Sequence, residues 1–280
     1  MGKSFNSTIP EKGNLLIIDG FNLAFRYKHS GERNFAGKYL QTVISFANSY
    51  GASRVVVLSD GGSRYRKNLF PGYKAGREEL RANQSKEEAE AFQAFLDDWK
   101  VAFQLCSSQY TTIKYKGVEA DDIAAYLVGH PKVYDKFKHI WLLSTDRDWD
   151  LLVDEKVSRF SYRTRKEITA DNWGDHYPYS REDHISVKVL QGDKSDSIPG
   201  VAGIGEKRAA NLIAEYGSAL DIHAILPIED KRVFMQSLNA FGDQLVVNYE
   251  LMDLVTFAKD AVGPEYITDL EEKIENEILK

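Results

Sequence analysis

Three carboxylates stand together at the start of a stretch with helical periodicity. Within residues 117–127 the apolar side chains recur at the spacing of one helix face, and Glu119, Asp121 and Asp122 fall on the other side. Acids in a first helical turn are often only partners of the helix dipole on a solvated face. This group by itself therefore leaves a structural and a catalytic interpretation open.

Further acids occur where apolar, strand-like runs end. These runs close on Asp19, on Asp60 and on the pair Asp146 and Asp148. A single aspartate at a strand end is usually a turn residue. The carboxyl ends of parallel strands, however, share one edge of a sheet, and ligands bind there. With the acids of a later loop, the candidate metal ligands are Asp19, Asp60, Glu119, Asp121, Asp122, Asp146, Asp148, Asp193 and Asp196.

So many carboxylates in one place would repel each other by several kcal/mol unless cations neutralised them. Mg²⁺ and Mn²⁺ prefer carboxylate oxygens, and the set contains none of the histidines or cysteines that zinc favours. Two ions about 3.5–4 Å apart can activate water and stabilise the leaving oxygen of a phosphodiester. The acids therefore predict phosphoryl chemistry with two Mg²⁺, for which Mn²⁺ would substitute.

A glycine-rich turn over residues 199–208 precedes another helical stretch. Gly203 and Gly205 would let backbone N–H groups approach a phosphate, and Lys207 and Arg208 follow in the first turn of the helix. No strand precedes the turn, so it is not a dinucleotide-binding motif. The pattern is similar to a helix-hairpin-helix, which holds the DNA backbone without reading bases. An ordinary glycine-rich turn is the alternative.

A basic stretch over residues 63–77 contains no acid, and we predict loop-like or conditionally ordered structure over 61–84. If the segment became helical, Lys74 and Arg77 would share a face and could stabilise charge on a scissile phosphate. Tyr73 could stack on a base. A solvated loop is the alternative. The other basic residues predicted here to contact DNA are Arg64, Arg66 and Lys67.

The strands that end in acids alternate with helices near 35–50 and 85–105, which indicates a parallel, doubly wound sheet. We predict an α/β fold with a central, mostly parallel sheet and helices on both faces over residues 1–183. Residues 184–222 would form a duplex-binding hairpin subdomain. Residues 223–280 would form a helical part packed on the core.

The composition limits the setting of the protein. The 280 residues are 43% hydrophobic, which is ample for a folded core. The net charge is −6, but if nine of the 42 acids bind metal, the remaining 33 are outnumbered by 36 Lys and Arg. The acidic average therefore does not exclude a nucleic-acid partner. A lone cysteine, Cys106, a polar opening over 1–13 and the lack of a long apolar run predict a cytoplasmic protein with no membrane partner.

Five stretches, in order along the chain, resemble the 5′-nuclease or flap endonuclease family. The resemblance is strongest to phage replication flap endonucleases (5′-3′ exonucleases), and the chain is also similar to the 5′-nuclease domain of bacterial DNA polymerase I. It covers roughly residues 14–220. The stretches are residues 18–23, 73–77, 117–122, 144–149 and 192–208.

The resemblance implies a PIN-like nuclease core with a helical arch over about 63–105 and a helix-hairpin-helix. It implies a replication enzyme that cuts 5′ flaps near single-strand/duplex junctions, removes nucleotides from 5′ ends, and leaves 5′-phosphate and 3′-hydroxyl products. Lys74 and Arg77 would contact the scissile phosphate from the base of the arch. Residues 192–216 would hold the downstream duplex, with a K⁺ ion among the hairpin carbonyls. The expected form is a monomer in the cytoplasm of a bacterial or phage-infected cell.

The same resemblance divides the acids between two metals. The first would be held mainly by Asp19, Asp60, Glu119, Asp121 and Asp122. The second would be held mainly by Asp146, Asp148, Asp193 and Asp196. 

Two positions depart from the family pattern, because Ser197 stands where asparagine is usual and Gly76 where a polar residue is common. Neither change removes a metal ligand or a phosphate contact. Two other functions are alternatives. A non-catalytic branched-DNA-binding protein would have no reason to keep nine carboxylates near a polyanion. A PIN-type ribonuclease would lack the basic arch and the hairpin.

Overall fold

A six-stranded sheet with the strand order β3-β2-β1-β4-β5-β6 forms the centre of the molecule. The computed structural model describes residues 13–280, so the first twelve residues of the expected nuclease core lie outside the described residues. All neighbouring strands are parallel except β5 and β6. The predicted mostly parallel sheet is therefore confirmed. The strands are β1 (Asn14–Asp19), β2 (Ala52–Leu58), β3 (Thr111–Ile113), β4 (Ile140–Leu143), β5 (Val157–Ser161) and β6 (Lys166–Ile168).

Helices connect the strands and make up most of the second half of the chain. Short 3₁₀ helices follow β4 and β6, and the chain closes with a π-helical turn, Ile274–Ile278. In the part of the chain that the structure describes, we find no helix with the length and apolar character needed to cross a membrane. The α-helices are α1 (Gly20–His29), α2 (Ala36–Ser49), α3 (Arg64–Leu69), α4 (Ala75–Ala82), α5 (Lys86–Cys106), α6 (Ala120–Gly129), α7 (Pro131–Lys136), α8 (His184–Gln191), α9 (Glu206–Tyr216), α10 (Ala219–Ile225), α11 (Val233–Ala240), α12 (Gly242–Met252), α13 (Leu254–Val262) and α14 (Pro264–Lys273).

Both faces of the sheet are buried, as the alternation along β1 shows. Leu15 and Ile17 pack into a cluster with α6 and α13, whereas Leu16 and Ile18 pack into a second cluster with α1, α2 and α5. Each such side chain contributes about 1.5–3 kcal/mol when it is fully buried. Because successive residues of a strand point to opposite faces, a slip of one residue would exchange the two clusters. The packing therefore fixes the register of β1 and the position of Asp19 at its end.

Residues 61–84 are not the loop that we predicted, because they contain α3 and α4. The anchors of this segment are long-range contacts. Arg66 of α3 is only 4% exposed, and Tyr73, between the two helices, is 3% exposed. Their partners lie on distant segments of the chain, so the local sequence gave no sign of this order.

The helices after residue 183 form a third hydrophobic cluster, which combines α8, α9 and α10 with α11 and α12. α13 packs instead against α6 of the sheet layer. The predicted boundary at residue 222 therefore does not coincide with a change of core. The division of the chain into domains stays a prediction.

Candidate active site

Four of the nine predicted ligands meet beyond the carboxyl edge of the sheet. The Asp19 carboxylate accepts hydrogen bonds from the Asn22 amide (3.2 Å) and from Ser144 Oγ (2.8 Å). Asp60 accepts from the amide of Ala120, the first residue of α6, at 2.9 Å. These bonds tie the ends of β1, β2 and β4 to the helix that carries Asp121.

The remaining two of these four acids are held by the segment after β4. Asp146 accepts a hydrogen bond from the Asp148 amide at 2.9 Å, as the cap of the short 3₁₀ helix. Asp121 accepts from Trp149 Nε1 at 2.5 Å. The buried indole of Trp149 therefore connects the start of α6 to the segment with the aspartate pair.

The four carboxylates repel each other. Burial and the charges of Asp60 and Asp146 raise the pKa of Asp19. Burial and the charges of Asp146, Glu119, Asp60 and Asp19 likewise raise the pKa of Asp121. The pKa of Asp60 is also raised, mainly by desolvation. Because Asp60 is exposed to solvent, the repulsion between carboxylates is better supported by Asp19 and Asp121.

Asp146 is the fourth member, and burial together with the charge of Asp148 raises its pKa to about 6. Within residues 13–280, none of the four makes an ion pair with a lysine or arginine. A concentration of negative charge that the protein leaves without a counter-ion is the environment that a divalent cation stabilises. We call Asp19, Asp60, Asp121 and Asp146 the unpaired acids.

Glu119 and Asp122, by contrast, are partners of Arg66. The Arg66 guanidinium donates to both oxygens of Asp122 and to Glu119 Oε2, each at 2.8 Å, and to the Leu251 carbonyl at 2.8 Å. Lys74 donates to the other Glu119 oxygen. Burial alone would raise the pKa of Glu119, but Lys74 and Arg66 outweigh it, so the pKa is lowered.

Three of the sequence interpretations need correction here. Arg66 cannot be a surface contact for DNA, because it is buried and saturated by carboxylates and a carbonyl. Asp122 has both oxygens engaged by Arg66 and enters the site as its counter-charge. Tyr73 is not a free platform for a base, because its hydroxyl bridges Glu119 (3.1 Å) and Asp196 (3.0 Å). The sequence could not show these pairings, which join residues far apart in the chain.

The other acids of the second predicted group, Asp148, Asp193 and Asp196, are engaged by neighbouring groups. Lys188 of α8 donates to Asp148 at 2.6 Å. Burial would raise the pKa of Asp148, but the pairing with Lys188 outweighs burial, so the pKa is lowered. Arg77 donates to Asp196 at 2.5 Å. Asp193 shapes its own loop by accepting from the amide of Ser195 at 2.7 Å.

The predicted DNA-binding residues other than Arg66 lie on the surface. Lys67 pairs with Glu78, and Arg64 pairs with Glu265. In the hairpin, Gly203 has a φ of +81°, a conformation that favours glycine, and Gly205 precedes the first residue of α9. Lys207 is exposed, while the exposed Arg208 donates to the Gly203 carbonyl and lies 4.9 Å from the Phe234 ring centroid.

A cavity of about 730 Å³ opens beside the aspartate pair and brings in residues that the sequence analysis missed. Arg147, Arg163 and Lys188 line it together with Asp146 and Asp148. A lone lysine within the apolar helix α8 was the one available signal for Lys188. Arg147 stands between the two aspartates in the sequence, and Arg163 lies in a basic stretch, but only the folded chain brings Arg163 to the aspartates.

The donor set suits a hard divalent cation, since carboxylate oxygens dominate it. Among the described residues, no three His, Cys, Asp or Glu side chains are already arranged as a metal site. Four of the nine acids are instead paired with lysine or arginine. The unpaired acids carry the excess charge and fit the ion. The part of Glu119, Asp148 and Asp196 at the metal depends on exchange of their present cationic partners, whereas Asp122 remains the counter-charge of Arg66.

Two family models match the chain in succession. The N-terminal resolvase-like domain of 5′-3′ exonucleases matches residues 14–177, and their C-terminal SAM fold matches residues 179–273. The unpaired acids lie in the first match. The loop with Asp193 and Asp196 and the hairpin lie in the second.

Known proteins agree with this result. The flap endonuclease of Escherichia phage T5 is 42% identical over 94% of this chain and 93% of its own length. The 5′-3′ exonuclease of Halalkalibacterium halodurans is 30% identical over 86% of this chain and 84% of its own length. Thermostable DNA polymerase I of Thermus caldophilus is 32% identical over 74% of this chain, which corresponds to 24% of that polymerase.

Two solved structures of phage T5 proteins share the fold. The T5 5′-exonuclease with bound divalent zinc ions has a TM-score of 0.89 at 41% identity and covers 94% of this chain and 98% of its own. The T5 flap endonuclease in a complex with DNA and metal ions has a TM-score of 0.87 at 41% identity and covers 92% of this chain and 96% of its own. With both family models matched and the acids of both gathered around one cleft, this chain belongs to the 5′-3′ exonuclease (flap endonuclease) family.

Proposed function

We propose that the protein is a structure-specific 5′ nuclease that hydrolyses DNA phosphodiesters near single-strand/duplex junctions. Its substrates would be DNA with 5′ flaps, forks or 5′ ends, and its products a 5′-phosphate and a 3′-hydroxyl. Removal of RNA primers and flaps during replication is the matching role. The observation that carries the proposal is the group of unpaired acids, which stands next to the cations Lys74 and Arg77.

Two Mg²⁺ ions are the proposed cofactors, with Mn²⁺ as a substitute. They would supply an activated water and stabilise the leaving oxygen. Asp19, Asp60 and Asp121 would serve the first ion with Glu119, and Asp146 would serve the second with Asp148, Asp193 and Asp196. Since zinc occupies the T5 relative, the lack of histidine and cysteine does not exclude zinc from such a site. A K⁺ ion at the hairpin carbonyls remains part of the proposal.

Lys74 and Arg77 would stabilise the charge that develops on the scissile phosphate. Both now neutralise carboxylates, with Lys74 on Glu119 and Arg77 on Asp196. When cations bind these acids, the two side chains become free to exchange the carboxylates for phosphate oxygens. Preorganised cations at this position act on the transition state more than on the ground state.

Tyr73 would orient the acids and not the substrate. Its hydroxyl connects Glu119 to Asp196, one acid from each proposed metal group. This bridge is buried, so its hydrogen bonds meet little competition from water. We infer that Tyr73 sets the distance between the two halves of the site.

The hairpin before α9 would hold the duplex. The exposed Lys207 and Arg208, next to the helix N-terminus, fit a phosphate backbone, and their contacts carry no base specificity. Arg64 and Lys67 of α3 would contact DNA on the arch side.

A 5′-labelled flap, a matched hairpin and a plain single strand test the proposal, each with Mg²⁺ and with EDTA. We expect cleavage near the junction of the flap, little cleavage of the other two, and none in EDTA. Binding of the flap without cleavage in Mg²⁺, Mn²⁺ or Zn²⁺ would indicate a non-catalytic junction-binding protein. Faster cleavage of an RNA strand than of the DNA flap would indicate a ribonuclease.

A further inference from the structure

The helix that carries Arg77 begins without a capping side chain of its own. α4 starts at Ala75, and the residue before it, Lys74, has a left-handed backbone with φ +59°. The first N–H groups of a helix need acceptors from outside the helical ladder. A lysine side chain has only donors and cannot supply one. The Lys74 ammonium is turned away to Glu119. The amides of Ala75 and Arg77 bond to the carbonyls of Gly72 and Lys74, so the Gly76 amide is the one in this turn that depends on a distant residue.

Ser197, 121 positions after Gly76 along the chain, supplies the acceptor for the Gly76 amide. Its hydroxyl oxygen accepts a hydrogen bond from the amide of Gly76, the second residue of α4, at 3.1 Å. Capping side chains usually bond the amide of the second or third helical residue. Ser197 therefore takes the place of a cap, but it reaches the helix through space.

The backbone of Ser197 supports this role. Its φ is +60°, a region that residues other than glycine rarely adopt and that persists where the surrounding structure imposes it. The turn that produces this conformation is closed by the hydrogen bond from the Ser197 amide to the Lys194 carbonyl. The conformation brings the hydroxyl to the start of α4.

Gly76 and Ser197 are also complementary in size. A Cβ atom at position 76 would lie 3.3 Å from Ser197 Oγ, which is tighter than most contacts of this kind. The missing side chain at 76 thus leaves room for the hydroxyl at 197. These are the two positions that depart from the family pattern, and the structure shows that they touch.

The loop around Ser197 holds the start of α4 at further points. The Lys74 amide donates to the Asp196 carbonyl at 2.8 Å, and Arg77 Nε donates to the Ser195 carbonyl at 3.2 Å. Three consecutive loop residues thereby determine where α4 begins, Ser195 and Asp196 through their carbonyls and Ser197 through its hydroxyl. Since Lys74 and Arg77 flank that point, the loop also determines where these two cations lie.

We propose that Ser197 is a positioning residue that caps α4 from outside the helix and so places Lys74 and Arg77 for the reaction. The effect on rate rests on the proposed nuclease function. The cap itself does not, and it can be measured in the protein without DNA.

The first experiment separates the cap from the backbone conformation. Ser197→Gly adopts a positive φ easily but has no acceptor, whereas Ser197→Asn keeps an acceptor and tolerates the left-handed region. We expect Ser197→Gly to lower the single-turnover rate at saturating flap DNA about tenfold, and its Kd to change less than about twofold. Ser197→Asn should stay within about threefold of the wild-type rate.

A matched control removes a cap of the ordinary kind. Ser218 caps α10 within a capping box, bonds Asp221 of its own helix, and lies outside residues 192–216, the segment predicted to hold the duplex. Ser218→Ala should lower the melting temperature without changing the single-turnover rate at saturating DNA. If Ser197→Gly cleaves at the wild-type rate, or if Ser218→Ala slows cleavage equally, the positioning role is wrong.

The second experiment is hydrogen exchange at the Gly76 amide in the protein alone. The wild type should protect this amide, and Ser197→Gly should exchange it about tenfold faster, as expected for the loss of one cap. Exchange at the same rate in both proteins would overturn the cap, even for an active nuclease. A wild type that cleaves no flap would overturn the proposed function and the positioning role with it, while the exchange result would still decide the cap.

A double-mutant cycle then tests the fit of the two residues. Gly76→Ala should slow cleavage at least about threefold in the wild-type background, because its methyl group presses on the hydroxyl. In the Ser197→Gly background the same change should have no effect. Equal effects in both backgrounds would mean that residues 76 and 197 act independently, and the proposed pairing would be wrong.

Discussion

Asp146 and Asp148 should respond in opposite directions when each is replaced by asparagine in the metal-free protein. Asp146 has no cationic partner and a pKa raised from 3.8 to about 6 by burial and by the charge of Asp148. Asp148 is paired with Lys188, which lowers its pKa against the effect of burial. Asparagine keeps the shape and an acceptor oxygen at either position but removes the charge. The pair therefore isolates the charge from the packing.

The size of the stability change for Asp146→Asn follows from the difference between the folded and unfolded pKa of Asp146. An acid whose pKa is higher in the folded state binds its proton more tightly there, so stability falls as the pH rises from about 4 to about 6 and the full cost is present above that. Two pKa units correspond to almost 3 kcal/mol, and solvent screening of this half-buried group reduces the expected cost to roughly 1–2 kcal/mol. Asp146→Asn should therefore raise the free energy of unfolding by roughly 1–2 kcal/mol at pH 7.5 in EDTA.

Asp148→Asn should have the opposite effect, because it leaves Lys188 without its partner. A buried group that loses its partner costs roughly 1–3 kcal/mol. Because the pKa of Asp148 is lowered on folding, its contribution is present above its ordinary pKa and is lost as the pH falls. Asp146→Asn should thus approach the wild type in stability near pH 3.5, where the Asp146 carboxyl is protonated. Asp148→Asn should approach it only at a lower pH, because the pKa of Asp148 lies below its ordinary value.

Guanidinium unfolding at pH 7.5 and pH 3.5 in EDTA measures these differences, and a repeat with Mg²⁺ adds the effect of the ion. Mg²⁺ should stabilise the wild type more than Asp146→Asn, which should also lose DNA hydrolysis while it keeps flap binding. If Asp146→Asn is no more stable than the wild type at pH 7.5 in EDTA, the repulsion between the unpaired acids is not what we infer. Full hydrolysis by this variant would contradict its place in the metal site.

Three further variants test other parts of the site. Lys74→Ala should slow the single-turnover rate by a factor of about 10²–10³, the usual loss for one preorganised charge donor, and an unchanged rate would contradict its role at the phosphate. Arg66→Met should destabilise the protein by roughly 3–5 kcal/mol, because Glu119 keeps one partner while the buried Asp122 loses its only arginine; wild-type stability in urea unfolding would argue against a buried network. Lys207→Ala with Arg208→Ala should lower duplex affinity and flatten its salt dependence, and an unaltered slope in fluorescence anisotropy titrations would rule out the hairpin as the duplex contact.

The sequence by itself determined the layered fold and the residue types of the site. Strand runs that are apolar along their whole length can only be covered on both sides, so a parallel sheet between helices followed from β1, β2 and β4. The acids at their ends then had to share one edge. Asp19, Asp60 and Asp146 could be named for this reason, because strand topology brings their backbones together, whereas Asp121 was named from the acids in the first turn of a helix.

Only the tertiary structure decided which charges face each other. The partners of Arg66, Tyr73, Lys188 and Ser197 lie between 40 and 185 residues away along the chain. No periodicity links positions so far apart, since such contacts depend on how helices dock and on how each buried charge finds a counter-charge. The same basic stretch therefore contains an exposed Lys67 and a buried Arg66, and the local sequence cannot tell these neighbours apart.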